Sequence, residues 1–246
     1  MLVNSKLTLM RIGFWLLLPI SALQGLWLRT RAIRLPEATG DRTGVCGSGK
    51  PLHLLAMGDS IIAGVGTGTM PRSMPVQFAQ AVAKNEARSV HWQIAGTNGA
   101  DISDLRARVK GIKLQQQVDL VLISIGVNDV TGLSSTRHWK TQLNTLTMEL
   151  RRKWPHARIV FMGLPPMAKF PLPPQPLSFI LGLRAATLDS ITATVVANQA
   201  NMMHIPTEID PLHHQFCEDG FHPSSEACGL WAEELAQRLK SDTLPL

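Results

Sequence analysis

Apolar and polar residues follow one another along this chain in blocks. Five short segments are dominated by apolar residues: 52–57 (LHLLAM), 90–95 (VHWQIA), 118–125 (VDLVLISI), 157–163 (ARIVFMG) and 201–205 (NMMHI). Their length and composition predict strands. The third is almost continuously apolar, as a parallel strand covered on both faces must be. Between them, residues 73–87, 102–114, 136–153 and 183–199 carry apolar positions at helical spacing, and 224–240 does so after the last strand. Strands alternating with helices predict βαβ units and a doubly wound α/β fold with a five-stranded parallel sheet. Right-handed crossovers then put helices on both faces. In such folds functional groups gather beyond the carboxyl ends of the strands.

The hydrophobic pattern changes character upstream. Residues 12–28 read IGFWLLLPISALQGLWL, with Lys6 and Arg11 before them and Arg29, Arg31 and Arg34 after. The run lies at the lower limit of the ~17–25 residues that span a bilayer. Pro19 and Gln24 weaken a spanning helix, and no clean small-x-small site supports cleavage of a secretory signal. An uncleaved anchor or interfacial helix, a cleaved signal and a plain buried helix all stay open. The first two place the domain at a membrane or in an exported compartment such as a bacterial cell envelope. Positive charge on both flanks leaves the orientation open. The chain thus divides into an N-terminal segment (1–34), a linker rich in Gly, Pro, Thr and charge (35–51) and one domain (52–246).

Composition adds exclusions. The net charge is +6, but the basic residues are scattered and Tyr is absent. Without aromatic residues interleaved among the cations, a nucleic-acid surface is not expected. Cys46, Cys217 and Cys228 have neither CxxC nor zinc spacing. Cys217 and Cys228 pair or stay free according to compartment, and three free thiols are the simpler expectation. His213 and His214 are adjacent but have no obvious third ligand, so no metal is expected.

The chemistry-bearing residues sit where the fold predicts. Gly58-Asp59-Ser60 follows the first strand, Gly96 the second, and Gly126-Val127-Asn128-Asp129 the third. Asp219 and His222 follow the fifth, before the last helix. A serine hydroxyl needs a base to become a nucleophile. His222 would be that base for Ser60, with Asp219 orienting its imidazole and stabilising the imidazolium. The N–H groups of Ser60 and Gly96 and the Asn128 side-chain amide are candidate oxyanion donors. A rival dyad with the same spacing, Asp210 and His213, lacks the proline that follows His222.

Taken together, these blocks resemble the SGNH superfamily of GDSL-type esterases and lipases. The matching segments are LLAMGDSIIAGVG, IAGTNGADISDL, GVND and DGFHP, spread over residues 52–240. The second block is loose, so Gly99 is the fallback for Gly96. The resemblance implies a three-layer α/β/α sandwich of flavodoxin-like type. It implies Ser60 as nucleophile, Gly96 and Asn128 completing the oxyanion hole, and no cofactor. The expected partner is a small-molecule or lipid-like ester, hydrolysed through an acyl-enzyme. A carbohydrate O-deacetylase or acyltransferase on the same machinery is the alternative. A non-catalytic binding role fits poorly with an intact set of catalytic residues. Residues 163–182 (GLPPMAKFPLPPQPLSFILG) are rich in Pro and large apolar residues. They are either an acyl-binding wall or lid near the catalytic edge, or a rigid loop packed on the body.

Overall fold

The computed structural model describes residues 19–112, 117–207 and 215–241. Helix α1 covers residues 19–31. The remaining elements are β1 (Thr43–Gly47), β2 (Lys50–Gly58), α2 (Ser60–Ala63), α3 (Met74–Glu86), β3 (Arg88–Gly96), α4 (Ile102–Gly111), β4 (Leu120–Ser124), α5 (Val127–Thr131), α6 (Thr136–Lys153), β5 (Arg158–Met162), α7 (Leu177–Ala197), β6 (Met202–Ile205) and α8 (Ser225–Ser241). The strand order is β1-β3-β2-β4-β5-β6. The five expected strands pair in parallel, and β1 adds to the sheet antiparallel to β3.

Strand β1 lies inside the stretch that reads as a linker. Its sequence TGVCG offers little apolar area, and its residues alternate between exposed and half-buried. It is a strand because β3 presents an open edge to it. Gly44 fits closely over Trp92, where a Cβ would fall 2.3 Å from the ring. Helix α7 begins at Leu177, ahead of the expected 183, because the proline-rich run ends at its N-cap, Pro176.

Both faces of the sheet are buried, in two separate cores. Leu55, Met57, Val121 and Ile123 face one core, toward α4, α6 and α7. Leu52, Leu54, Ala56, Leu120 and Leu122 face the other, toward α3 and α8. The period-two alternation of side chains along a strand explains this division. Among the described residues, α7 is the one helix long and apolar enough to cross a membrane by length and composition. It packs against α6 and β6, and Ala185, Leu188, Val195 and Val196 are buried in the first core. Residues 12–18 of the apolar N-terminal run lie outside the described residues.

The chain reverses direction sharply at the end of β2. Gly58 has φ +151°, and a Cβ there would fall 1.8 Å from the Ser124 carbonyl oxygen. Only glycine tolerates both the angle and the approach. The Asp59 N–H then donates to Ser124 O at 3.1 Å, tying the turn to the end of β4. Gly58→Ala is expected to cost about 2 kcal/mol or more. Urea unfolding measures it, and an unchanged midpoint would mean that the turn relaxes freely.

Candidate active site

The strand order reverses between β2 and β4, since β3 lies on one side of β2 and β4, β5 and β6 lie on the other. Such a switch point leaves a crevice beyond the strand ends. Ser60 opens α2 there and is buried, with Asp59 as its N-cap. Asn128 sits in α5, immediately beyond β4. Its amide donates to Ala100 O at 2.9 Å, which uses one of the two N–H groups and leaves the second. Asp129 accepts from Ile102 N at 3.1 Å and from Ser134 Oγ at 3.0 Å. It thus braces α4 against the turn after α5, a role that the GVND motif alone did not disclose.

Asp219 and His222 occupy a compact loop before α8. His222 Nδ1 lies 2.6 Å from Asp219 Oδ2. The other carboxylate oxygen accepts the N–H groups of Phe221 and His222 at 2.9 and 3.0 Å. Burial pulls the Asp219 carboxyl upward. The hydrogen bonds from the imidazole and these two amides, with the nearby imidazole charge, outweigh it and hold the group below its ordinary value. The carboxylate fixes the imidazole with Nδ1 toward itself, which leaves Nε2 free. The loop is held by Cys217 N donating to His222 O and by edge-on packing of Phe221 on Phe170.

The dyad loop is fastened to the chain that carries Ser60. A Cβ on Gly66, just past α2, would fall 2.6 Å from Cys217 Sγ. Cys217 Sγ lies 3.6 Å from Gly66 O and 3.3 Å from Pro223 O, and Arg72 Nε donates to Ser225 Oγ at 3.2 Å. Ser60 and His222 are not hydrogen-bonded to each other in this structure; such contacts often tighten only when substrate arrives. Asp210, His213 and His214 lie outside the described residues. The three cysteines are free thiols, and burial pushes Cys228 up to about 12. No cluster among the described residues is arranged to hold a metal ion.

The glycines of the second block play different parts. A Cβ on Gly96 would fall 2.3 Å from Ala63 N, so the missing side chain lets α2 rest on the end of β3. The N–H of Thr97 donates to Gly58 O, toward β2, while that of Ile94 donates to Arg42 O on the opposite side. Strand alternation turns the Gly96 N–H to the Ile94 side, away from β2 and Ser60. In the following loop the N–H groups of Thr97, Asn98, Ala100 and Asp101 all donate to protein acceptors. Among the described residues, that of Gly99 does not.

A profile of the GDSL-like lipase/acylhydrolase family matches residues 56–228. The chain belongs to this family. It is a carboxylic ester hydrolase. Solved structures share the family fold. A lipase/acylhydrolase from Enterococcus faecalis has a TM-score of 0.61 at 21% identity, covering 79% of this chain and 98% of that one. An acetylxylan esterase from Geobacillus stearothermophilus has a TM-score of 0.55 at 20% identity, covering 78% and 94%. A carbohydrate esterase family 2 enzyme with a carbohydrate-binding domain, from Corynascus thermopiles (Myceliophthora fergusii), has a TM-score of 0.60 at 14% identity, covering 84% and 68%. Comparison of the sequence with curated proteins gives no match.

Two further carboxyls of the family motifs are unusual. Burial pushes Asp59 up to about 7 against the Ile61 N–H, and the Asp129 charge adds to the rise. One Asp59 oxygen is buried with no hydrogen-bond partner. Burial pushes Asp129 up to about 6, against its bonds from Ser134 and Ile102. With its native value above the ordinary 3.8, Asp59 contributes stability below about pH 4. That contribution is lost as pH rises through about 7. Asp59→Asn, uncharged throughout, should therefore gain roughly 5 °C in Tm relative to the native chain between pH 4 and pH 8. Parallel pH profiles in thermal melts would show that the buried carboxyl is not the cause.

Proposed function

We propose that this hydrolase cleaves carboxylic esters through an acyl-enzyme on Ser60. The observation that carries the reading is the 2.6 Å contact between Asp219 and His222, in a loop fastened to the chain just past Ser60. Ser60 Oγ attacks the ester carbonyl while His222 Nε2 takes its proton. The tetrahedral intermediate collapses, and His222 returns the proton to the departing alcohol. Water, activated by the same imidazole, then releases the acid. Asp219 stays ionised, and its lowered pKa suits the stabilisation of imidazolium.

The Ser60 N–H and the second Asn128 amide hydrogen are the proposed oxyanion donors. For the third donor the geometry favours Gly99 over Gly96. Gly99 has an uncommitted N–H in the loop beyond β3, whereas the Gly96 N–H is turned away and its role is to admit α2.

A second reading, hydrolysis of carbohydrate esters, is favoured by an open cleft of about 550 Å³ beside Gly99, lined by polar groups including Asn98, Asp104 and Arg108. The family fold is shared with esterases of carbohydrate substrates. Acetylated xylooligosaccharide assayed beside p-nitrophenyl esters separates the two readings.

Ser60→Ala and His222→Ala should each lower kcat/KM on p-nitrophenyl esters by ~10⁴-fold or more. Asn128→Ala should cost ~10²–10³-fold. Asp219→Asn should be less damaging than Ser60→Ala, because nucleophile and oxyanion donors remain. Full activity in both Ser60→Ala and His222→Ala would remove this site from the reaction.

Membrane association is proposed to run through the outer side of α1. Ile20, Leu23 and Trp27 are exposed there, Leu23 at 69%. Arg29, Arg31 and Arg34 follow, suited to anionic headgroups. The full chain should co-float with anionic phospholipid vesicles, and Leu23→Asp with Trp27→Asp should weaken flotation. Equal flotation by that double variant would exclude this face.

A further inference from the structure

A second cavity, of about 570 Å³, lies directly against the catalytic dyad, with Asp219, Phe221 and His222 in its lining. Its size falls within the ~300–1,000 Å³ of small-molecule sites. Thr131 and Leu133, at and just past the end of α5, contribute to it, and two longer segments complete it. One is the stretch from Leu172 to Leu181, which includes the start of α7. The other is α1, together with the residues just after it. The N-terminal helix therefore stands beside the imidazole, not apart from the domain.

Specific bonds hold it there. Gln24 Nε2 donates to Gln175 O at 2.8 Å, and Gln24 Oε1 accepts from Leu177 N at 3.2 Å. One side chain thus clamps α1 to the opposite wall of the cavity. The next residue, Gly25, lines the cavity, and a Cβ built on it meets nothing within 4 Å. A side chain added there would project into open space beside the helix.

We propose that this cavity is the acyl-binding pocket, that α1 is one of its walls, and that the substrates are esters of medium-length apolar acyl chains. The proposal rests on the Ser60 reading above and deepens it. The lining is dominated by Leu, Ile, Ala and Phe side chains, with few groups to pair with sugar hydroxyls. Buried hydroxyls left without partners would weaken binding, whereas each added methylene gains from leaving water. His222 is part of the lining, so an acyl chain held there would lie beside the imidazole that the proposed reaction uses. Gly25 then sets how much chain the pocket accepts.

The test is a chain-length series of p-nitrophenyl esters, acetate to laurate, on the full chain without detergent, beside Ser60→Ala. In the native chain kcat/KM should rise roughly 3–4-fold per methylene until the pocket is full. Octanoate should exceed acetate by at least tenfold. Gly25→Trp should lower the octanoate-to-acetate ratio at least tenfold. Tryptophan is the better helix former of the two, so the substitution does not oppose α1. Ala22→Trp, on the same wall, is a second variant with the same expected direction. Gln24→Ala, which releases the clamp, should raise KM for octanoate more than it lowers kcat.

Ser60-dependent turnover that peaks at acetate would overturn the pocket and leave the hydrolase reading standing. So would an octanoate-to-acetate ratio unchanged in both tryptophan variants. Turnover that survives Ser60→Ala would overturn both readings together.

Discussion

The site depends on the way two neighbouring parallel strands end. Strand β2 stops at a glycine whose backbone no other residue adopts without strain, pressed against the last carbonyl of β4. That contact starts α2 at once and buries Ser60 at the strand edge instead of carrying it into solvent. The same edge receives Asn128 from the start of α5. The Gly66 contact with Cys217 then brings in the loop of Asp219 and His222 from the far end of the chain. A larger residue at Gly58 or Gly96 would move α2, and with it Ser60, relative to groups fixed on other strands.

Burial sorts the three carboxyls around this edge into different work. Asp219 is surrounded by donors and remains an anion, as a partner for imidazolium must. Asp59 and Asp129 are more deeply enclosed and hold their protons to higher pH. Asp59 caps α2 through the Ile61 N–H, and Asp129 joins α4 to the turn after α5. The same residue type therefore holds an imidazole in one environment and serves as mortar in two others.

Much of this was legible in the chain. Parallel strands need continuous apolar runs, and the fold puts chemistry after them, so Ser60, Asn128, Asp219 and His222 could be placed from order alone. The GDSL-type resemblance made the same assignment, and the family match spans those residues. The choice between Gly96 and Gly99 was less accessible. It turns on which way each glycine's N–H points and whether it meets an acceptor, and spacing does not record that. Strand β1 was hidden because its glycine-rich sequence gains order from the β3 edge and not from its own pattern. The apolar character of residues 19–31 was plain, but periodicity cannot show that a helix docks beside a histidine far along the chain. Gln24, which weakens the case for a membrane span, is the residue that clamps α1 to the start of α7.

Strand β1 has one more effect. By covering β3, it moves the border of the sheet outward to a strand of 5 residues, while the opposite border, β6, has 4. Long unpaired strands act as templates for the strands of other chains, and short borders offer few free amides and carbonyls to copy. A protein that carries an exposed apolar helix gains from having neither side of its sheet able to recruit a neighbour. Self-association through side chains would then gain little help from the backbone ladder.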